Sequence, residues 1–165
     1  MYRFSLRNMQ HRLDMDDFSE DTFELIAVHC TEEDFRLAYL LNNYLKIKLV
    51  RAKTDLDFYK NQKQINFPLF EYEDSKNYIS YNLLSNVQKI LSEGVASASD
   101  FYKNVYETHY VIPEIKCDYL LKIASDSGKI KVKEIVSKIN EIRQVISAYN
   151  VAVEKLKSKN NLIFD

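Results

Sequence analysis

The segment Thr22-Phe-Glu-Leu-Ile-Ala-Val-His-Cys30 is apolar and β-branched enough for a buried strand, and it stops at a helix signal. Thr31 is placed to cap the next helix with its hydroxyl, and Asp34 sits where a capping-box acid would reach back. Glu32 and Glu33 add negative charge at the positive end of the helix dipole. Phe35, Ala38, Tyr39, Leu41, Asn42 and Leu45 follow helical spacing, so residues 32–45 are predicted as a helix with that stripe inward. Lys46-Ile-Lys-Leu-Val-Arg-Ala-Lys53 then alternates cationic and apolar positions, the pattern of a half-exposed strand. Together these predict a β-α-β start.

Residues 54–66 have no sustained period and read as a connection. Phe67–Asp74 and Asn77–Leu83 are β-prone runs around Ser75-Lys76, a hairpin whose turn lacks the favoured glycine, and Pro68 places the first run's start at an edge. The stretch Ser85–Asp100 ends in GVASASD, the composition of a mobile loop over 94–100. Phe101–Val111 is aromatic and fits strand or helix. Asp118–Ala124 reads as a buried strand followed by a turn, Ser125–Gly128. Ile130, Val132, Ile135, Val136, Ile139 and Ile142 share one helical face. Residues 145–151 fit either a strand or a continuation of that helix into a coiled-coil arm; the alternation of Val145, Ser147, Tyr149 and Val151 favours the strand. Two β-α-β units around a hairpin predict an α+β sandwich, a mixed or antiparallel sheet with helices on one face, of the ferredoxin-like or ACT-like kind.

With glycine only at Gly94 and Gly128, no glycine-rich phosphate cradle can be built, which removes P-loop and dinucleotide-binding classes. The 165 residues, 46% of them hydrophobic, suffice for one domain spanning 1–165 with a core that needs no metal or disulfide. Two cysteines, Cys30 and Cys117, are too few for a secreted disulfide scaffold, and no apolar run reaches membrane-span or signal-peptide length, so the expectation is a cytoplasmic protein. Charge is uneven. Residues 1–12 carry three arginines and no acid, residues 13–34 nine acids and no base, and residues 129–165 eight bases against four acids. Residues 1–16 read as a flexible lead-in, and the acidic stretch as solvated surface before it reads as a docking face.

Ile112-Pro113-Glu114-Ile115-Lys116-Cys117-Asp118-Tyr119 resembles the signature of the bacterial IPExxVDY family, with Cys117 where the family has valine. Arg36-Leu-Ala-Tyr39, Ala52–Phe58 and the ending Leu156–Phe164 also resemble that family. The resemblance implies a bacterial cytoplasmic α/β domain and supplies no activity and no catalytic residues.

Within the motif, Pro113 fixes φ and directs Ile112 into extended geometry. Glu114 and Asp118 would share a face on a helix but lie roughly 13 Å apart on a strand, too far to couple. The motif residues Ile112, Pro113, Glu114, Asp118 and Tyr119 therefore read as structural, with the carboxylates holding backbone donors or an arginine. His29, Cys30, Thr31 and Glu32, at a strand end before a helix, are the candidate ligand-binding residues. No catalytic group, metal site or cofactor is expected: His29, Cys30, His109 and Cys117 lack zinc-ligand spacing, and His109 reads as a surface or interface histidine. Tyr72, Tyr78, Tyr81, Tyr102, Tyr106 and Tyr110, interleaved with Lys76 and Lys103, raise the idea of a base-stacking platform, but neighbouring acids cancel the charge. Leu162-Ile163-Phe164 is expected to dock on its own domain or on a second subunit. The expected function is a non-catalytic interaction or regulatory domain, a homodimer or partner of another protein. The alternatives are an ACT-like small-molecule sensor and an RNA-associated protein.

Overall fold

The computed structural model describes residues 23–60, 62–91, 106–126 and 129–164. The lead-in 1–16, the loop 94–100, Tyr102 and Lys103 lie outside the described residues. In chain order the elements are β1 (Phe23–Cys30), α1 (Asp34–Leu45), β2 (Val50–Arg51), β3 (Leu56–Lys60), β4 (Lys63–Phe67), β5 (Leu69–Asp74), β6 (Ile79–Ser85), β7 (Val87–Leu91), β8 (Tyr106–Tyr110), β9 (Tyr119–Ser125), α2 (Val132–Asn140) and β10 (Val145–Val151). Two short 3₁₀ turns follow, Val153–Lys155 and Lys159–Leu162. Among the described residues neither helix is long and apolar enough to cross a membrane.

The chain is α+β, built on a six-stranded sheet in the order β10-β1-β9-β6-β5-β2 in which every neighbouring pair is antiparallel. The expected β-α-β start is corrected by this order. β1 and β2 run in the same direction, but β9, β6 and β5 stand between them. Likewise β9-α2-β10 encloses β1 rather than pairing its own strands. Residues 145–151 form the strand and not the helical continuation, with Leu25 to His29 facing Val151 to Ser147 in register. The register slips between His29 and Cys30, where Ile146 is the extra residue. That bulge puts Val145 and Ala148 on one face, so the alternation read from Val145 through Val151 does not carry to the strand's first residue.

Each face of the sheet buries its own core. On one, α1 and α2 cover Ile26, Val28, Leu121, Ile123 and Leu83. On the other, β4, the segment 111–117 and the C-terminal turns cover Leu25, Ala27, Leu120 and Leu84. Alternate residues of β1 supply both cores, which is why that strand reads as a continuous apolar run.

Several expectations are revised. α1 turns Leu37, Ala38 and Leu41 inward and leaves Phe35 and Tyr39 exposed, because its apolar residues extend around more than one face. Its N-cap is Glu33 without a side-chain cap bond; Thr31 does not cap it, and the Asp34 carboxylate accepts from the Phe35 amide at 2.7 Å. Residues 54–66 are not a plain connection, since they contain β3 and most of β4, a hairpin. The ambiguous 101–111 segment is a strand, β8, where described. The β5–β6 hairpin forms with Asp74 opposite Ile79, and the Asp74 carboxylate accepts the amides of Lys76 and Asn77.

Scarce glycine has a visible cost. Lys46, Gln62 and Tyr78 take positive φ of 59°, 65° and 54°, each a strain of roughly 1 kcal/mol relative to glycine. Asparagine side chains brace the exits of both helices. Asn42 donates to the Leu49 carbonyl at 3.0 Å and accepts its amide at 2.7 Å, bridging the exit of α1. Asn140 makes the same pair with Ala148 at 2.9 and 2.8 Å at the exit of α2. Each amide thereby imitates a strand neighbour, contributing on the order of 1 kcal/mol per bond.

Candidate functional site

The motif segment 112–119 is organised around Asn86, the one fully buried polar side chain among the described residues. Asn86 sits between β6 and β7, where its own backbone is already committed: its N–H donates to the Asp118 carbonyl at 2.8 Å and its carbonyl accepts from Val111 at 3.0 Å. Its side-chain oxygen accepts the Ile112 amide at 2.8 Å. The side-chain N–H groups donate to the carbonyls of Ile115 at 2.8 Å and Cys117 at 3.2 Å. A single amide so satisfies three backbone groups of a segment that has no strand partner there. Ile112 to Ile115 forms a turn closed at 3.2 Å, with Pro113 at the second position, where its fixed φ is favourable. Ile112 and Ile115 point into the second core while Glu114 points out.

Glu114 holds the C-terminal segment. Its carboxylate accepts the amides of Lys157 at 2.9 Å and Ser158 at 3.0 Å and the Ser158 hydroxyl. The Ser158 hydroxyl, with these amides, keeps the Glu114 carboxyl below its ordinary pKa. A folded pKa below the unfolded value of about 4.3 means this contact is present above that value and is lost as pH falls through the folded pKa. In an NMR titration the Glu114 carboxyl should therefore titrate below the free value, with the Lys157 and Ser158 amides shifting at the same midpoint. An ordinary midpoint, or amides that do not follow it, would contradict the contact.

Asp118 and Tyr119 reach the other way, to the corner between β1 and α1. The Asp118 carboxylate accepts the Cys30 amide at 3.0 Å and lies 3.9 Å from His29 Nδ1. The Tyr119 hydroxyl donates to the Glu32 carbonyl at 2.6 Å. His29, Cys30 and Glu32 are thus brought together with the second half of the motif, whereas Thr31 is exposed and Glu32 pairs along the helix with Arg36 at 3.0 Å. The His29 ring stacks against Tyr149 of β10, with centroids 5.9 Å apart. Glu114 and Asp118 hold different amides and do not act as a pair.

Little nucleophilic chemistry is available at this corner. The Cys30 thiol donates to the Gln144 carbonyl at 3.4 Å, and burial, then the Glu32 and Asp118 charges, push its pKa up. Burial pushes Cys117 up to about 12. Both thiols are protonated at neutral pH, and they face opposite sides of the sheet. Burial, then the charge of Asp34, likewise raises the Tyr119 phenol.

The remaining candidates disperse. The C-terminal turn docks on its own domain: Leu162 is fully buried, and Lys122 donates to its carbonyl at 2.7 Å while lying over the Phe23 and Phe164 rings. Tyr72 and Tyr81 stack on the helix-covered face, Tyr78 is exposed in a turn, and Tyr106 and Tyr110 belong to the separate β7–β8 sheet, so the described tyrosines form no single stacking platform. His109, read as a surface or interface histidine, has a half-buried side chain, 12% exposed, that lies 3.4 Å from Glu107. Asn86 is invisible to periodicity, since a polar residue beside Ser85 at the end of a strand carries no pattern and its side-chain partners lie 26 to 31 residues away. No family model, curated protein or solved structure matches the chain.

Proposed function

We propose that the protein is a non-catalytic interaction domain of the bacterial cytoplasm, of the IPExxVDY family, that acts as a homodimer joined through the outer edge of β10. The order β10-β1-β9-β6, antiparallel throughout with α1 and α2 on one face, supports a ferredoxin-like, ACT-like layout for its core. The protonated, buried thiols and the structural use of both motif carboxylates support a binding role over a catalytic one.

Among the described residues no strand pairs with the outer edge of β10, and that edge carries the dimer. Val145-Ile-Ser-Ala-Tyr-Asn-Val151 contains no charge, and it leaves Ile146 71% and Tyr149 43% exposed. The opposite edge, β2, pairs for only two residues and lies among Lys46, Lys48, Arg51 and Lys53, the short, charged design that discourages strand addition. An antiparallel edge is self-complementary about a twofold axis, and pairing along Ser147–Val151 would set the exposed Ile146 side chain beside the end of the partner strand.

Sedimentation across a concentration series tests this reading. Wild type should dimerise, and Ile146→Lys, at an exposed position, should keep the wild-type circular dichroism while weakening dimerisation about 100-fold, or roughly 2.7 kcal/mol. A wild type that stays monomeric throughout, or a variant that dimerises equally well, would overturn it.

A further inference from the structure

We propose that the groove between the last turn of α1, β6 and the start of α2 binds a small amphipathic anion, an organic carboxylate carried on an apolar chain. The groove encloses about 420 Å³, within the range of small-molecule sites. Leu45, Ile79, Tyr81, Ile130 and Ile135 line it with half-buried apolar surface that a ligand would remove from water. Its charged lining is Lys129, Lys131, Lys138 and Glu134. Lys131 is paired with Glu134 at 3.2 Å, whereas among the described residues neither Lys129 nor Lys138 has an acidic partner. Two positive charges are therefore in excess over an apolar floor. α2 also opens at this groove without a side-chain cap, so the positive end of its dipole adds to the same field.

Neighbouring grooves show why the ligand class belongs to this one. A groove of about 410 Å³ sets Glu71 and Glu73 against Lys48, and another of about 200 Å³ carries Glu73 and Asp126 without a cation. Neither joins an apolar floor to a positive rim. Tyr81, stacked on Tyr72, has its phenol pKa raised by burial and by Asp74, so it meets an anion as a neutral hydroxyl.

The test is a titration of the full chain, followed by ¹H–¹⁵N spectra, with octanoate, octan-1-ol and inorganic phosphate in parallel. Octanoate should shift the amides of Ile79, Tyr81, Lys131 and Glu134 saturably, octanol should bind about tenfold more weakly, and phosphate should not saturate. The double variant Lys129→Gln/Lys138→Gln, both surface positions, should reduce octanoate to the affinity of octanol without changing octanol, and added salt should weaken only octanoate. Equal binding of octanoate and octanol, shifts confined to other regions, saturation by phosphate alone, or an unaffected double variant would overturn the proposal. The groove does not involve β10, so Ile146→Lys should bind octanoate as wild type does; failure of the dimer and failure of the ligand site are separately readable.

Discussion

Asn86→Ala is expected to destabilise the protein by about 3 kcal/mol or more, with the segment 111–118 the first to open. The substitution leaves the Ile112 amide and the Ile115 and Cys117 carbonyls without their partner in a site fully closed to solvent. Each such group costs about 1–3 kcal/mol, less whatever the segment recovers by admitting water. Asn86→Asp is the sharper probe, because it keeps the shape and replaces two donors by an acceptor facing two carbonyl oxygens. Burial and that repulsion would hold the acid protonated, placing its folded pKa above the unfolded value of about 3.9. The variant should then be more stable at pH 4 than at pH 7, losing stability as pH rises from the unfolded towards the folded pKa, measured against wild type by urea unfolding. An alanine variant within about 1 kcal/mol of wild type would mean that the motif segment is held by something other than Asn86.

Ile112→Ala should cost about 3 kcal/mol, within the usual 2–5 for a buried isoleucine, and Ile112→Val about 1. Ile112 is fully buried at the start of the Pro113 turn, among Val111, Ile115, Cys117, Leu156 and Leu162 of the second core. The same residue gives its amide to Asn86, so the two alanine substitutions loosen one segment twice. Their combined cost should fall short of the sum by about 1 kcal/mol in a double-mutant cycle. Strict additivity would show that the side-chain packing and the amide clamp act independently.

How far the fold was legible follows from where each signal is stored. α2 fills one core with a clean local period, β9 supplies both cores and so shows as a continuous apolar run, and β10 is legible as a strand although its bulge breaks the alternation. The β3–β4 hairpin was hidden because only Leu56 and Phe58 on one strand and Ile65 and Phe67 on the other point inward, around a turn at Gln62 with no glycine. Phe35 and Tyr39 satisfied the same spacing rule as Leu37 and Leu41, and only the tertiary contact of α1 decided the phase. The placement of β2 four strands away from β1 could not be read locally, since a crossover helix looks alike whether it spans one strand or several. At the candidate site, the motif residues were legible individually, but their convergence on Asn86 and on the corner at Cys30 depends on partners as much as 88 residues distant.

The position of β1 sets an order on synthesis. Its neighbours on both sides, β9 and β10, come from the last third of the chain, and the Asn150 amide meets the Glu24 carboxylate across 126 residues. The most apolar strand is synthesised ahead of both of its neighbours and stays without them until β9 and β10 have followed. At about 5–20 residues per second that interval is several seconds, long enough for chaperones or a neighbouring nascent chain to compete for an exposed Leu-Ile-Ala-Val edge.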